Sequence, residues 1–261
     1  MTNTLNRQIQ LLARPANYPK ESDFDLVESP VPEPREGEVL VKAIWLSLDP
    51  YQRGRMRASH PYATPMELGQ VIVGGVVGKI VQSRTPAFTV GEGVEGPLGW
   101  QEFAVSDGNN LRRVDAGLGP LSTALGILGM PGMTAYFGFL EIGQPRPGDT
   151  VVVSAASGAV GQVVGQISKI MGCRTVGIAG TAEKVEYLKS GLGFDAGINY
   201  KTENVDAALT KVCPLGVDVY FDNVGGVITD AVFDHLNVGA RISICGSISQ
   251  YNQDEPEPGP R

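Results

Sequence analysis

Histidine and cysteine are scarce in this 261-residue chain: His60 and His235 are the two histidines, and Cys173, Cys213 and Cys245 stand far apart with no C-x-x-C spacing. A catalytic zinc site needs clustered Cys, His and carboxylate ligands, so the composition speaks against one. The histidines read as a loop residue and a helix-surface residue, and the cysteines as reduced core thiols rather than a disulfide framework. Positive charge is also short, with 21 Lys and Arg against 28 Asp and Glu and a net charge of −7. That balance argues against nucleic acid and anionic membranes as partners, while leaving room for a local basic pocket. The run Arg53-Gly54-Arg55-Met56-Arg57 is too brief to change it. No apolar run approaches spanning length, and no apolar stretch follows the first positive charge, so neither a transmembrane helix nor a secretory signal is expected. The chain reads as cytoplasmic. At 42% hydrophobic and 19% charged residues, it has the composition of a globular protein with an ordinary core.

One dense feature stands out among these absences. The run Thr150-Val151-Val152-Val153-Ser154-Ala155-Ala156-Ser157-Gly158-Ala159-Val160-Gly161-Gln162-Val163-Val164-Gly165 reads as a buried strand, a tight turn of small residues and the start of a helix. Three valines in a row suit a strand buried on both faces, and the Gly and Ala that follow let the backbone approach a phosphate without a Cβ in the way. A helix opening at Ala159 aims N–H groups and the positive end of its dipole at that phosphate. Taken strictly the pattern is A-x-x-G-x-x-G, with Ala155 where a dinucleotide fingerprint has its first glycine; a small-residue turn also serves plain strand-to-helix packing. The surroundings favour the nucleotide. Strand-like runs at 174–179, 196–200, 217–222 and 240–245 alternate with helical stretches such as 182–191, the pattern of a doubly wound parallel sheet.

Sites for NAD place an acidic residue about 20 residues beyond the turn to hold the ribose hydroxyls. Here that place reads Ala179-Gly180-Thr181, with Lys184 one turn further on. A ribose phosphate is tolerated and attracted there, so NADPH is expected over NADH. The plain alternative for Lys184 is a solvated helix lysine, and Glu183 beside it works against the phosphate.

Residues 1–120 have a different texture. Short strand-like segments at 37–46, 71–81 and 101–105 are broken by Pro30, Pro32, Pro34, Gly37, Gly91, Gly93 and Gly99, which predicts a compact, mostly β domain. Residues 121–261 turn helical and then strictly α/β. Ser122 is the expected cap of a helix through Leu128, and Pro131 restarts a second one.

Several segments carry a family resemblance. Leu48-Asp49-Pro50-Tyr51-Gln52-Arg53-Gly54-Arg55-Met56, Gly99-Trp100-Gln101-Glu102 and Met130-Pro131-Gly132-Met133-Thr134-Ala135-Tyr136 precede the turn. Phe221-Asp222-Asn223-Val224-Gly225-Gly226 and Cys245-Gly246-Ser247-Ile248-Ser249-Gln250-Tyr251-Asn252 come after it. Together they resemble the zinc-independent medium-chain reductases, in the branch of prostaglandin, curcumin and alkenal double-bond reductases. The motifs span essentially the whole chain in order; quinone reductases share the fold but resemble it less at the Asp-Pro-Tyr and Ser-Gln-Tyr-Asn segments. The resemblance implies an α/β protein with a GroES-like, mostly β substrate domain and a Rossmann domain that binds NADPH. It also implies NADPH-dependent reduction of a carbon–carbon double bond conjugated to a carbonyl. The substrate is a small α,β-unsaturated ketone or aldehyde, and a homodimer is expected by analogy.

Carried over residue by residue, the resemblance puts Gly158, Ala159, Val160, Gly161 and Gln162 at the pyrophosphate, and Gly180 and Lys184 by the 2′-phosphate. Tyr200 would lie against the adenosine end, or else is a partly exposed strand-end tyrosine. Asn223 and the loop of Cys245, Gly246, Ser247, Ile248 and Tyr251 would line the nicotinamide ribose, with Met130 and Thr134 near the nicotinamide. Hydride transfer to the β-carbon puts negative charge on the carbonyl oxygen, which calls for a donor. Tyr251 is the first candidate, at the carboxyl edge of the sheet, and Tyr51 the second, with a hydrogen-bonded core or rim tyrosine as the alternative for each. Asp49 and Arg53 are expected to form a structural ion pair, unless Arg53 helps near the phosphates.

Relatives of this kind continue for about another third of a domain, with a helix, a sixth strand and a return to the β domain. Residues 253–261 have a loop composition instead. The strand at 240–245 would then be an open edge. A splice or annotation variant, an artificially shortened chain and a longer chain not fully represented all account for this. Two classes therefore stay open, an active reductase (with quinone reduction as its runner-up) and a non-catalytic NADPH-binding protein.

Overall fold

The computed structural model describes residues 5–58 and 64–253, so His60 and residues 254–261 lie outside the described part. The chain divides into two compact units, Met1–Leu125 and Gly126–Arg261, a few residues beyond the expected boundary at 120.

The first unit is built from antiparallel β-structure. Strand β1 (Leu5–Leu11) pairs with β2 (Phe24–Pro30), Leu5 opposite Pro30 and Leu11 opposite Phe24. A second sheet holds β3 (Val39–Leu46), β4 (Val76–Ser83), β5 (Gly93–Gly96), β6 (Phe103–Ser106) and β7 (Arg112–Arg113), in the order β6-β3-β4-β5-β7. Val39, Val41, Val76, Ile80, Val94 and Ala104 form one core cluster there. The expected strand at 71–81 begins late, at Val76, and Val71 makes only an isolated bridge to Gln10. A short helix α1 (Tyr51–Arg55) carries the Tyr-Gln-Arg-Gly-Arg segment.

The expected Asp49–Arg53 ion pair does not form. Arg53 is buried, and its guanidinium donates to the carbonyls of Pro15 (3.2 Å) and Asn17 (2.7 Å). Loop carbonyls attract the fork of an arginine as a carboxylate does. The expected helix capped by Ser122 is also corrected. Residues Leu121–Leu125 make a 3-10 turn held by Thr123 Oγ1 donating to the carbonyl of Pro120 (2.7 Å), and Gly126 and Gly129 break the chain before the next helix begins.

The second unit is a doubly wound parallel sheet. Helix α2 (Met130–Phe137) runs on into a π-helical turn at Gly138–Gly143. Then come β8 (Thr150–Val153), α3 (Gly161–Ile170), β9 (Arg174–Ala179), α4 (Ala182–Glu186), β10 (Ala196–Asn199), α5 (Val205–Val212), β11 (Val217–Asp222), α6 (Gly226–Phe233) and β12 (Leu236–Ile244). The helix expected at 182–191 is α4 continued by a π-helical turn, Tyr187–Gly191. Strand order is β10-β9-β8-β11-β12, all parallel, which is the Rossmann arrangement of five strands. Alternation along β8 explains the valine run: Val151 and Val153 enter one core cluster with Val163 and Val164 of α3, while Val152 enters the opposite one with Val176, Ile198 and Val232. Strand β12 lies at one edge, with Val238 and Ile244 exposed.

Two of the three cysteines are core thiols. Cys173 and Cys213 are buried, but Cys245 is exposed at the end of β12, contrary to expectation, because the sheet edge leaves its side uncovered. His235 likewise sits in the turn after α6 rather than on the helix, with Nε2 2.8 Å from Asp206 Oδ1. Burial pushes the Cys213 thiol up to about 11 from an ordinary 9.0. A folded-state value above the unfolded one means that the native state keeps the proton longer. Its stabilising effect is full below pH 9 and is lost as pH climbs through 11, by about 3 kcal/mol. Cys213→Ala should therefore flatten the alkaline fall of urea-unfolding stability relative to wild type; an unchanged slope would disprove it.

Candidate functional site

The site grows from the carboxyl ends of the parallel strands, where adjacent loops of an open α/β sheet part to leave a crevice. After β8 the chain turns at Ser154 and Ala155. Ala155 is held at φ +46°, a left-handed conformation costing a residue with a Cβ about 1 kcal/mol. The turn is pinned by the Ala156 N–H donating to the carbonyl of Ile178 (3.0 Å) and the Gly158 N–H to that of Ala155 (2.9 Å).

Helix α3 then starts at Gly161, two residues later than expected, so Ala159 and Val160 belong to the turn. A Cβ on Gly161 would lie 2.5 Å from the carbonyl oxygen of Ala155 and 2.8 Å from the Cα of Ala156, so the helix can sit this close only with glycine. Gly158 and Ala159 are exposed, and a Cβ on Gly158 would meet only the Ala155 carbonyl, at 3.1 Å. The result is an open backbone cradle at the positive end of a ten-residue helix, shaped for phosphate.

A second group forms at the ends of β9 and β10. The Tyr200 ring lies across Gly180, whose Cβ would come within 3.0 Å of it. Thr181 caps α4, its Oγ1 accepting the N–H of Lys184 (3.2 Å), and Lys184 itself is exposed. Tyr200 and Lys184 are both exposed, and the strand end at Ala179, Gly180 and Thr181 carries no carboxylate.

The third group is the end of β11, where the sequence pointed to Asn223 but not to Asp222 or Ser154. The buried Asp222 carboxylate receives five donors. Ser154 Oγ (3.0 Å), Tyr220 Oη (2.9 Å), and the N–H groups of Val224 (2.9 Å) and Gly225 (3.0 Å) reach Oδ1, and Thr229 Oγ1 reaches Oδ2 (2.6 Å). Burial, and then the Asp222 carboxylate, push the Tyr220 phenol well above its ordinary range, so it stays a donor. Asn223 turns inward, donating its N–H to Ser154 Oγ (2.8 Å) and its Nδ2 to the Ser154 carbonyl (2.7 Å). A carboxylate ending a buried strand just before Asn-Val-Gly-Gly is the signal that marks Asp222, since such an acid must find donors.

The loop after β12 rests on this group. The Asp222 carbonyl accepts from the N–H groups of Cys245 (2.8 Å) and Gly246 (3.1 Å), the Asn223 carbonyl from Ile248 (3.3 Å), and the Val224 carbonyl from Ser249 (3.1 Å). Tyr251 folds back over Gly246, its hydroxyl accepting the N–H of Ser247 at 3.2 Å. Desolvation first, and then Asp222, raise the Cys245 thiol.

The cradle, Asn223 and the Cys245–Tyr251 loop are thus brought together, and Gly180, Lys184 and Tyr200 adjoin them through neighbouring strands. Met130 and Thr134 stand on α2, whose buried face shares a core cluster with α3; Met130 is half exposed and Thr134 partly buried. Tyr51 belongs to the first unit, where desolvation and then Asp49 raise its phenol. Among the described residues no group of three or more His, Cys, Asp or Glu could hold a metal ion, and no helix is long and apolar enough to cross a membrane.

Comparison with known proteins agrees with this architecture. Residues 7–114 match the family described as the N-terminal domain of oxidoreductase, and residues 159–258 the one described as zinc-binding dehydrogenase. The putative NADP-dependent oxidoreductase YfmJ of Bacillus subtilis (strain 168) is 52% identical, the match covering 98% of this chain and 76% of that protein. The NADPH-dependent curcumin reductase of Escherichia coli (strain K12) is 46% identical, over 98% of this chain and 74% of the relative. Among solved structures, CurA from Vibrio vulnificus in complex with NADPH is similar with a TM-score of 0.93 and 48% identity, covering 98% of this chain and 76% of that one.

Proposed function

The chain belongs to the medium-chain dehydrogenase/reductase family, in the branch of the curcumin, alkenal and prostaglandin reductases, and from that premise we propose that it reduces the C=C bond of small α,β-unsaturated ketones or aldehydes with NADPH and without zinc. The observation that carries the reading is the joining of an open phosphate cradle at 158–162 to the Asn223 and Cys245–Tyr251 loops on one sheet edge. NADPH supplies a hydride to an electron-poor carbon. Everything else falls to the protein.

The segment Gly158, Ala159, Val160, Gly161 and Gln162 holds the pyrophosphate through the α3 dipole and the main-chain N–H groups of Ala159, Val160 and Gly161, while the N–H groups of Gly158 and Gln162 close the turn on the carbonyls of Ala155 and Gly158. Lys184, beside Gly180, neutralises the 2′-phosphate, and Tyr200 stacks on the adenosine. Asn223, Cys245, Gly246, Ser247 and Ile248 wall the nicotinamide ribose, with Met130 and Thr134 on the nicotinamide side. As hydride adds to the β-carbon, negative charge gathers on the substrate's carbonyl oxygen, and the resulting enolate takes a proton from water at its α-carbon. Tyr251 donates to it; the Ser247 N–H already bonded to its oxygen polarises the hydroxyl and strengthens it as a donor. Tyr51, in the first unit, also has a phenol raised by desolvation and then Asp49, so it keeps its proton.

The test is an NADPH fluorescence titration followed by addition of a simple alkenal with NADPH absorbance as the readout. Tight NADPH binding with weak NADH binding is expected, and Tyr251→Phe should lower kcat about 100-fold, as loss of one oxyanion donor does. Lys184→Ala should weaken NADPH about tenfold and leave NADH unchanged. Preferred turnover of a quinone would replace the enone reading, and binding without any turnover would replace reduction with nucleotide binding alone.

A further inference from the structure

Ser154 has no part in the reading above, yet it holds the site's loops together. It follows the valines of β8, is fully buried, and precedes the buried Ala156, so a plain packing position there would be served by alanine. A hydroxyl in such a place costs stability unless it is bonded. This one donates to Asp222 Oδ1 and accepts the N–H of Asn223, and the carbonyl of the same residue accepts the Asn223 side-chain amide. Serine is the small residue that can donate and accept at one atom. Through Asp222, Asn223 and Val224 the chain of bonds runs on to the N–H groups of Cys245, Gly246, Ile248 and Ser249. The hydroxyl therefore joins the ends of β8 and β11, and the main-chain carbonyls at the end of β11 in turn carry the loop after β12.

We propose that Ser154 is a positioning residue: it fixes Asn223 and the 245–249 loop at a set distance from the pyrophosphate turn, so that the two ends of one dinucleotide meet a preformed site. The proposal rests on the NADPH-binding reading. Preorganised loops bind without first losing entropy, so loosening them weakens binding even while every group that touches the nucleotide is kept.

The test compares wild type, Ser154→Ala and Ile198→Val, the last a core truncation on β10, the edge strand at the far side of the sheet from β12. Amide hydrogen exchange is measured by NMR on the nucleotide-free chain, and NADPH binding by fluorescence. In Ser154→Ala the amides of Cys245, Gly246, Ile248 and Ser249 should exchange at least tenfold faster than in Ile198→Val, and the NADPH Kd should rise at least fivefold. Exchange no faster than in Ile198→Val would overturn the proposal, as would faster exchange with an unchanged Kd. If Ser154→Ala does not fold, Ser154→Cys, near in size with a weaker donor, is read in the same way. Should wild type itself not bind NADPH, the nucleotide reading fails and this role with it, while the exchange rates still report whether Ser154 holds the loops.

Discussion

Asp222→Ala should lower the free energy of unfolding by about 4 kcal/mol in urea titrations, the largest single-residue loss in the second unit. Five donors lose their acceptor at once: three hydroxyls, from Ser154, Tyr220 and Thr229, and the N–H groups of Val224 and Gly225. Tyr220 and Ser154 are wholly buried, so water cannot replace the carboxylate without opening the sheet edge. The cost lies in stranded donors rather than in lost packing, since alanine leaves only a small void. Asp222→Asn separates the two. It keeps the volume and one acceptor but aims an amide N–H₂ at groups that themselves donate, and should retain about half the loss. A loss under about 1 kcal/mol for Asp222→Ala would mean that the donors find other partners and that the network is not closed.

Gly165→Ala is expected to destabilise the protein by about 3 kcal/mol, although on an exposed helix the same change stabilises by about 1 kcal/mol. The sign is set by Phe194, whose Cζ would lie 1.9 Å from the new Cβ and whose Cε2 would lie at 2.3 Å. The ring has nowhere to retreat. It is buried, and on β9 Gly177 would also place a Cβ 2.9 Å from its Cδ1, so the ring is sandwiched between two glycines. Relief requires α3 to lift from the sheet, and α3 carries Gly161 and Gln162 at its start. A several-fold rise in the NADPH Kd should therefore accompany the loss of stability. In a Phe194→Leu background the penalty of Gly165→Ala should shrink by more than half, measured as a double-mutant cycle. An unchanged penalty there would exonerate the ring.

Local pattern and tertiary contact divide the molecule between them. The valine run of β8, the alternation of strands and helices, and the small-residue turn were legible in the sequence because burial on both faces and phosphate approach each demand residue types within a short window. Helix starts were less legible. Ser122 looked like a cap, but Gly126 and Gly129 stop the chain from continuing, and α3 begins at Gly161 because close approach to Ala155, not propensity, decides where it touches the turn. Arg53 and Asp49, four residues apart, suggested a pair, but the carbonyls of Pro15 and Asn17 reach Arg53 from more than thirty residues away. Cys245 looked like a core residue because its strand is apolar, and its exposure follows from the strand lying at the sheet edge.

By itself the sequence determined the parallel α/β half, the small-residue turn after β8, the absence of a carboxylate at Ala179-Gly180-Thr181 and the family, since each rests on local pattern or on motifs in fixed order. Only the tertiary structure decided that Ser154 bonds to Asp222 and Asn223, that Tyr200 lies on Gly180, and that the Asn223 amide turns to the Ser154 carbonyl. Those contacts join residues up to about seventy positions apart, and the hydrogen bonds that make them depend on strand order and register, which no local stretch of the chain encodes.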